Sequence, residues 1–292
     1  MTNGSPEQVA AFESMPIDSL WVGGHVASPN PTPEAMVQLA RLSASAKRVR
    51  IGTSILLLPL YPPAIVAKQI ADIDRACDGR VTLGVGVGGE YPAEFRACGV
   101  PLDERGTRTD EAIAVLRALW SGEPVSHHGR HFDFDDVRIH PAPCRAGGPP
   151  IIVAGRKRPA MRRAALLGDG WMPYLFSPDR YRRSVLDIRE IAQSAGRDLA
   201  GFEWTAFVFV NVSPDAAAAR SQTASFLGGT YRQDFDEMLD RVAVTGTVAE
   251  VTDRLGQFRE AGAGHIIVAV ATTTRPMAVA ELIAGEILPQ VA

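Results

Sequence analysis

Seven short apolar runs are spaced along the chain, and nearly every one is followed by a stretch of helical periodicity. The runs cover 18–26, 49–58, 81–89, 151–155, 170–176, 202–212 and 265–271. Their apolar character is largely continuous, as in strands buried on both faces. Strands that alternate with helices in this way build a parallel sheet wrapped by its helices. Several helical stretches open on capping signals: Ser5 before Pro6, Thr32 before Pro33, and Ser213 before Pro214. The stretch 62–77 presents Ile65, Ile70 and Ile73 as its inward face. The segments 228–234 and 235–242 read as a loop and a helix. No Gly/Ser linker or composition break divides the chain, so one domain is expected over 1–292. That length accommodates a TIM (β/α)8 barrel of roughly 250 residues. Such a barrel wants one strand more than the seven runs supply. Because the chain opens on a helix, the first strand is the one expected to be missing or abbreviated.

The stretch 122–150 breaks the rhythm. It is rich in Gly, Pro, His and aromatic residues, and 131–139 alternates as an antiparallel strand does. It reads as an insertion outside the repeating unit. His127 and His131 stand at a spacing that on a helix suits a metal. Gly129 lies between them, the segment reads as strand and turn, and no cysteine completes a ligand set, so no metal is assigned.

Bulk properties narrow the function classes. A net charge of −3 argues against non-specific nucleic-acid binding. No apolar run approaches the roughly 18 residues of a membrane helix. The start of the chain lacks a signal-peptide pattern. The three cysteines, Cys77, Cys98 and Cys144, are widely spaced and form neither a disulfide framework nor a zinc pattern. Together these point to reduced thiols in a cytoplasmic protein acting on small molecules.

The chemistry-bearing stretch is 81–91, VTLGVGVGGEY. Gly84, Gly86 and Gly89 match the dinucleotide fingerprint G-x-G-x-x-G. That motif belongs to the first strand of a βαβ unit and opens directly into a helix. Here two strand-like runs precede it and Pro92 follows closely, so a barrel strand is the better reading. Alternate glycines then leave a flat floor for a planar ring. Glu90 stands at the C-terminal end of the strand, where barrel enzymes keep their chemistry. His25, after two glycines at another strand end, is the natural titrating partner. The competing readings are a hydrogen-bonded loop histidine and a solvated carboxylate. Arg156, Lys157 and Arg158 begin a helix, an unfavourable place for cations unless an anion binds there. Arg275 follows the last strand, as an anion ligand or a loop cap, and Tyr174 lies near the expected mouth.

Several of these stretches resemble the bacterial-luciferase-like superfamily of flavin- and deazaflavin-dependent enzymes. They are DSLWVGGHV (18–26), VRIGTSILLLPLYPPAIVAKQIADID (49–74), RVTLGVGVGGEYPAEFRACGVPLDERGTRTDE (80–111), LRALWSGEPVSHHGRHF (116–132), PPIIVAGRK (149–157) and LLGDGWMP (166–173). The resemblance runs from about 16 to 176; beyond that only the rhythm matches. It implies an eight-stranded barrel with insertions, often a homodimer, binding coenzyme F420 or FMN at its C-terminal mouth. The second to fourth family strands look closest to the F420 branch, which includes actinobacterial glucose-6-phosphate dehydrogenases. By that resemblance His25 lies beside the ring, and Ser54–Ile55 is a non-prolyl cis bond forming a bulge behind it. Gly86, Gly88 and Gly89 form the turn, and Glu90 is the nearest match to a catalytic glutamate, displaced by about one position. Ala154, Gly155, Arg156 and Lys157 hold the cofactor phosphate. Gly24 stands where relatives often carry an acid, and the tryptophan that sugar-phosphate dehydrogenases place after the histidine is missing. The expected function is F420-dependent hydride transfer to or from a small organic substrate. The alternatives are an FMN-dependent monooxygenase supplied by a separate flavin reductase, and a non-catalytic flavin-binding or interaction barrel.

Overall fold

The computed structural model describes residues 5–291. The chain opens on α1 (Pro6–Glu13), where the Ser5 hydroxyl accepts from the Gln8 amide and Pro6 takes a first-turn position. Next come β1 (Ser19–Val22), α2 (Ala35–Ser45), β2 (Arg50–Thr53), β3 (Leu56–Leu57), α3 (Pro63–Ala76) and β4 (Val81–Gly86). Helices α4 (Pro92–Ala97) and α5 (Arg105–Leu119) lead to an antiparallel hairpin, β5 (Val125–His128) with β6 (Asp133–Val137), outside the main sheet. Alternation then resumes with β7 (Ile151–Ala154), α6 (Arg158–Leu167), β8 (Gly170–Met172), α7 (Pro178–Ser194) and β9 (Glu203–Val212). The last part holds α8 (Ala216–Tyr231), α9 (Leu239–Val242), β10 (Ala243–Gly246), α10 (Val248–Glu260), β11 (His265–Val270), α11 (Pro276–Leu282) and α12 (Leu288–Val291).

Every ladder of the main sheet is parallel. The order β1-β2-β4-β7-β8-β9 follows the chain, with β3 also on β4. A sequential order has no reversal point of the kind that opens the cleft of a doubly wound sheet. The sheet curls as a barrel does. β9 pairs with β8 near its start, with β11 along its middle and with β10 at its end. β1 and β11 each pair on one side only. Among the described residues no backbone hydrogen bond joins them; the Ser19 hydroxyl and His265 Nε2, 3.0 Å apart, bridge the seam.

All seven expected runs contain strand. β10, in the junction between two helices, was not legible, and it pairs with β9 without filling the seam beside β1. The run 49–58 is not one strand: the Ser54–Ile55 peptide bond is cis and separates β2 from β3. Three local expectations are corrected. Glu34, not Thr32, caps α2, its carboxylate accepting from the Val37 amide at 2.7 Å. Asp215, not Ser213, caps α8, which runs on through the expected loop to Tyr231. Ile65 lies on the outer face of α3 at 53% exposure, while Ile70 and Ile73 are buried as expected.

Successive strand residues point to opposite faces. Leu20, Val22, Leu83, Val85, Ile151 and Val153 pack outward against the helices. Trp21, Ile152, Ala154, Met172, Phe207 and Ile267 meet inside the curl, with Ile55 above them. Arg50 and Glu203 form an ion pair of 2.6 Å inside the N-terminal end. This packed interior leaves the C-terminal ends of the strands as the place for a site.

Candidate active site

His25 follows β1 after Gly23 and Gly24. A β-carbon at residue 24 would collide with the Pro33 carbonyl oxygen, so no larger side chain has room here. The His25 Nδ1 lies 3.3 Å from both carboxylate oxygens of Glu94, and its ring meets Tyr91 edge-on at 4.9 Å. The Glu94 side chain is 0% exposed and that of His25 is 22% exposed, so the carboxylate is sealed beneath the imidazole. Among the described residues Nε2 of His25 has no hydrogen-bond partner. Glu94 was not singled out from the sequence. It reads there as an ordinary acid in the first turn of a short helix, and α4 does carry it.

Glu90 stands elsewhere in the mouth. It is exposed, and its Oε1 accepts from the Tyr174 hydroxyl at 2.9 Å. Burial, and then the Glu90 charge, push the Tyr174 phenol up to about 12. The Arg156 guanidinium lies over the Tyr174 ring at 4.6 Å, and the Tyr231 ring from the end of α8 stacks against the same Tyr174 ring with centroids 6.2 Å apart. Burial raises the Tyr231 phenol as well. The Asn30 side-chain amide donates to the Thr230 carbonyl at 3.2 Å, tying the loop after β1 to the end of α8. His25 and Glu90 therefore have different partners: His25 is served by Glu94, and Glu90 by Tyr174.

Between them lies the floor. Gly86 ends β4 under the Ile55 side chain, which a β-carbon at residue 86 would strike. Gly88 and Gly89, with φ of +62° and +113°, turn the chain away from the sheet.

Ala154 ends β7, and Gly155 follows at φ +143°, packed against Ala160. Arg156 and Lys157 lead into α6, whose N-cap Lys157 makes no side-chain cap. The Arg180 guanidinium donates to the Arg156 carbonyl at 3.2 Å. Burial, then the charges of Arg156 and Arg183, lower its pKa. Among the described residues neither Arg156 nor Arg180 has a carboxylate partner. A helix N-terminus beside cations that lack carboxylate partners is a place where negative charge is favoured. Arg275 is exposed, in the left-handed region at the start of α11 (φ +48°); its carbonyl accepts from the Val279 amide at 3.1 Å, and its side chain has no hydrogen-bond or ion-pair partner among the described residues.

The insertion histidines serve packing. His127 meets Glu111 at 3.2 Å, His131 meets Thr107 at 2.8 Å and His128 meets Asp133 at 2.7 Å. Among the described residues no three potential ligands converge on a metal position.

The sequence profile of the luciferase-like monooxygenases matches residues 5–236. The chain belongs to that family. A coenzyme F420-dependent glucose-6-phosphate dehydrogenase of Beutenbergia cavernae is 32% identical over 239 residues, covering 76% of this chain and 69% of the relative. An FMNH2-dependent dimethylsulfone monooxygenase of Pseudomonas putida is 34% identical over 158 residues, covering 53% and 43%. An uncharacterized Mycobacterium tuberculosis protein is 36% identical over 167 residues; this match spans 57% of each chain. The chain thus matches little more than half the length of that relative. Among solved structures, an F420-dependent secondary alcohol dehydrogenase superposes with a TM-score of 0.88 at 23% identity, over 98% of this chain and 94% of that one. That likeness supports the luciferase-like TIM-barrel fold. No helix among the described residues is long and apolar enough to cross a membrane.

Proposed function

We propose that this luciferase-like protein is an F420-dependent oxidoreductase acting on a small organic substrate. The carrying observation is His25, half-buried at the mouth and held from below by the buried Glu94 carboxylate. The residues present suit a flavin-like group. Gly86 makes room for the Ile55 side chain to lie over the end of β4 as an apolar floor, and the Gly155 turn presents cations without carboxylate partners at a helix start. When bound, the deazaflavin supplies two-electron hydride chemistry at its C5 carbon; the protein supplies orientation, charge and access. Glu94 keeps the proton on Nδ1 of His25 and so leaves Nε2 to hold or exchange a proton at a substrate oxygen. Glu90, bridged to Tyr174, is the second candidate acid or base. Ser54, Ile55, Gly86, Gly88 and Gly89 shape the ring site. Ala154, Gly155, Arg156 and Lys157 hold the phosphate, and Tyr174 and Arg275 face the substrate side. The same reading carries a single domain and a cytoplasmic homodimer, with neither nucleic acid nor membrane as partner. Size-exclusion chromatography with light scattering tests the dimer.

A second reading is an FMN-dependent monooxygenase fed by a separate flavin reductase. The similarity to the Pseudomonas putida enzyme supports it. Titration with F420 and with FMN, each oxidised and reduced, separates the two. The Trp171 indole donates to the Gly155 carbonyl at 3.0 Å, so tryptophan fluorescence is expected to report filling of the phosphate turn. Tight binding of F420 alone is the expected result. Preference for reduced FMN moves the reading to the monooxygenase, and binding of neither removes the cofactor assignment.

A further inference from the structure

On the face of the barrel opposite His25, two thiols share one acceptor. The Asp74 carbonyl, in the last turn of α3, receives the Gly79 amide at 2.8 Å. The Cys77 thiol donates to the same oxygen at 3.6 Å, and the Cys144 thiol does so at 3.8 Å. The two sulfurs are therefore no further apart than these two hydrogen bonds laid end to end. The segment carrying Cys144 is clamped in place. Its amide donates to the Asp74 carboxylate at 2.9 Å, and Arg145 donates to the Gly79 carbonyl at 3.1 Å. Arg75 reaches the Ala142 carbonyl at 3.4 Å. A β-carbon on Gly79 would lie 3.4 Å from that of Cys144, so the segment crosses directly over the turn that follows Cys77. Cys144 is exposed and Cys77 is fully buried.

We propose that Cys77 and Cys144 form a reversible redox-modification site, in which hydrogen peroxide converts the two thiols into one disulfide tying the end of α3 to the segment that enters β7. The accessible partner reacts first. The Cys144 sulfur attacks one peroxide oxygen, the O–O bond breaks, and water leaves with a sulfenic acid on Cys144. The Cys77 sulfur then attacks the Cys144 sulfur; the S–O bond breaks, the S–S bond forms, and a second water leaves. The thiols lose two electrons and two protons, and the peroxide is reduced to two waters. Burial raises the Cys77 pKa, so the second step quickens as pH rises. The Cys144 side chain lies at the surface, and its rotation towards Cys77 is the motion the disulfide requires. The site lies on the N-terminal face of the strands, where barrel residues serve stability. Its effect is a lock on the scaffold, leaving the mouth untouched.

The test is exposure of the full chain to hydrogen peroxide, then alkylation in denaturant and peptide mass spectrometry. Of the three cysteines, only Cys98 is expected to remain alkylatable, with a peptide pair joined through Cys77 and Cys144 that dithiothreitol separates. The thermal midpoint is expected to rise on oxidation and to return on reduction. In C144S the joined peptide and the shift are both absent; in C98S both persist. Oxidation of Cys144 to sulfinic acid with Cys77 still alkylatable overturns the proposal. So does a joined peptide containing Cys98, or an equal midpoint shift in C144S.

Discussion

Glu94 meets Nδ1 of His25 with both carboxylate oxygens at 3.3 Å, across 69 residues of chain. The carboxylate is fully buried, and among the described residues the only other hydrogen bond to it is the long one from the Ala27 amide, at 3.5 Å. Removing either member therefore has a different cost. His25→Ala leaves a buried carboxylate without its main partner, and is expected to destabilise the fold by about 1–3 kcal/mol in urea unfolding. It should also lower cofactor-linked turnover by about a hundredfold or more, the usual worth of a positioned acid or base. Glu94→Gln keeps the volume and is expected to lower turnover while leaving cofactor affinity within a few-fold. The same variant should change the tautomer of His25, read from its imidazole nitrogen shifts. Unchanged shifts in Glu94→Gln would remove Glu94 as the residue that positions His25.

Two glycines of β4 separate fold from site. A β-carbon on Gly84 strikes the Thr53 carbonyl oxygen, a backbone atom that cannot retreat. A β-carbon on Gly86 strikes the end of the Ile55 side chain, which can rotate. Gly84→Ala is expected to cost about 3 kcal/mol or to abolish folding. Gly86→Ala should fold with a loss of about 1–2 kcal/mol and a clear drop in flavin or deazaflavin affinity. Calorimetry beside the fluorescence titration distinguishes them. Equal stability losses with unaltered binding in Gly86→Ala would mean that this glycine is no floor for a ring.

The barrel was legible because seven strands each left a largely continuous apolar run, while β10 was not. Ala243–Gly246 is only four residues between helices, too short to carry a period. Thr32 offered a cap and Glu34 took it, because the carboxylate two residues later reaches the Val37 amide. Ile65 has the right spacing for the inner face of α3, yet it lies outside, since periodicity fixes a stripe and only packing fixes which edge of it is covered. In the mouth, local signals marked His25, Glu90 and the Gly155 turn. Glu94 escaped because its meaning is its contact with His25, and nothing local to 92–97 records a partner so far back along the chain.

His265 gives the seam a pH dependence. Burial, then the charge of Arg50, lowers its pKa from 6.5 to about 4, so the folded protein holds it neutral. A histidine depressed in this way stabilises the fold fully above its unfolded pKa. Its contribution is lost as pH falls from about 6.5 towards 4, where the unfolded chain binds the proton more tightly. The loss is at most about 3 kcal/mol. Urea unfolding across this window should show stability falling in the parent protein and a flatter profile in His265→Asn. Parallel profiles for the two proteins would sink the assignment.

Arg156 and Arg180 crowd one another at the start of α6 without a carboxylate to neutralise them. A bound phosphate removes that repulsion and adds charge-assisted hydrogen bonds. Inorganic phosphate at millimolar concentration is therefore expected to raise the thermal midpoint above that in chloride at matched ionic strength. Arg180→Ala relieves the crowding but also removes the bond to the Arg156 carbonyl and the stacking on Phe176, so the variant should stay near the parent midpoint in chloride and lose most of the response to phosphate. Lys157→Ala should weaken phosphate-bearing cofactors by a smaller factor, because an exposed ammonium is screened by salt. Cofactor affinity in the parent should fall as salt rises, and the Arg180→Ala protein should show a shallower slope. A phosphate response of equal size in both proteins would place the anion somewhere other than the turn at Gly155.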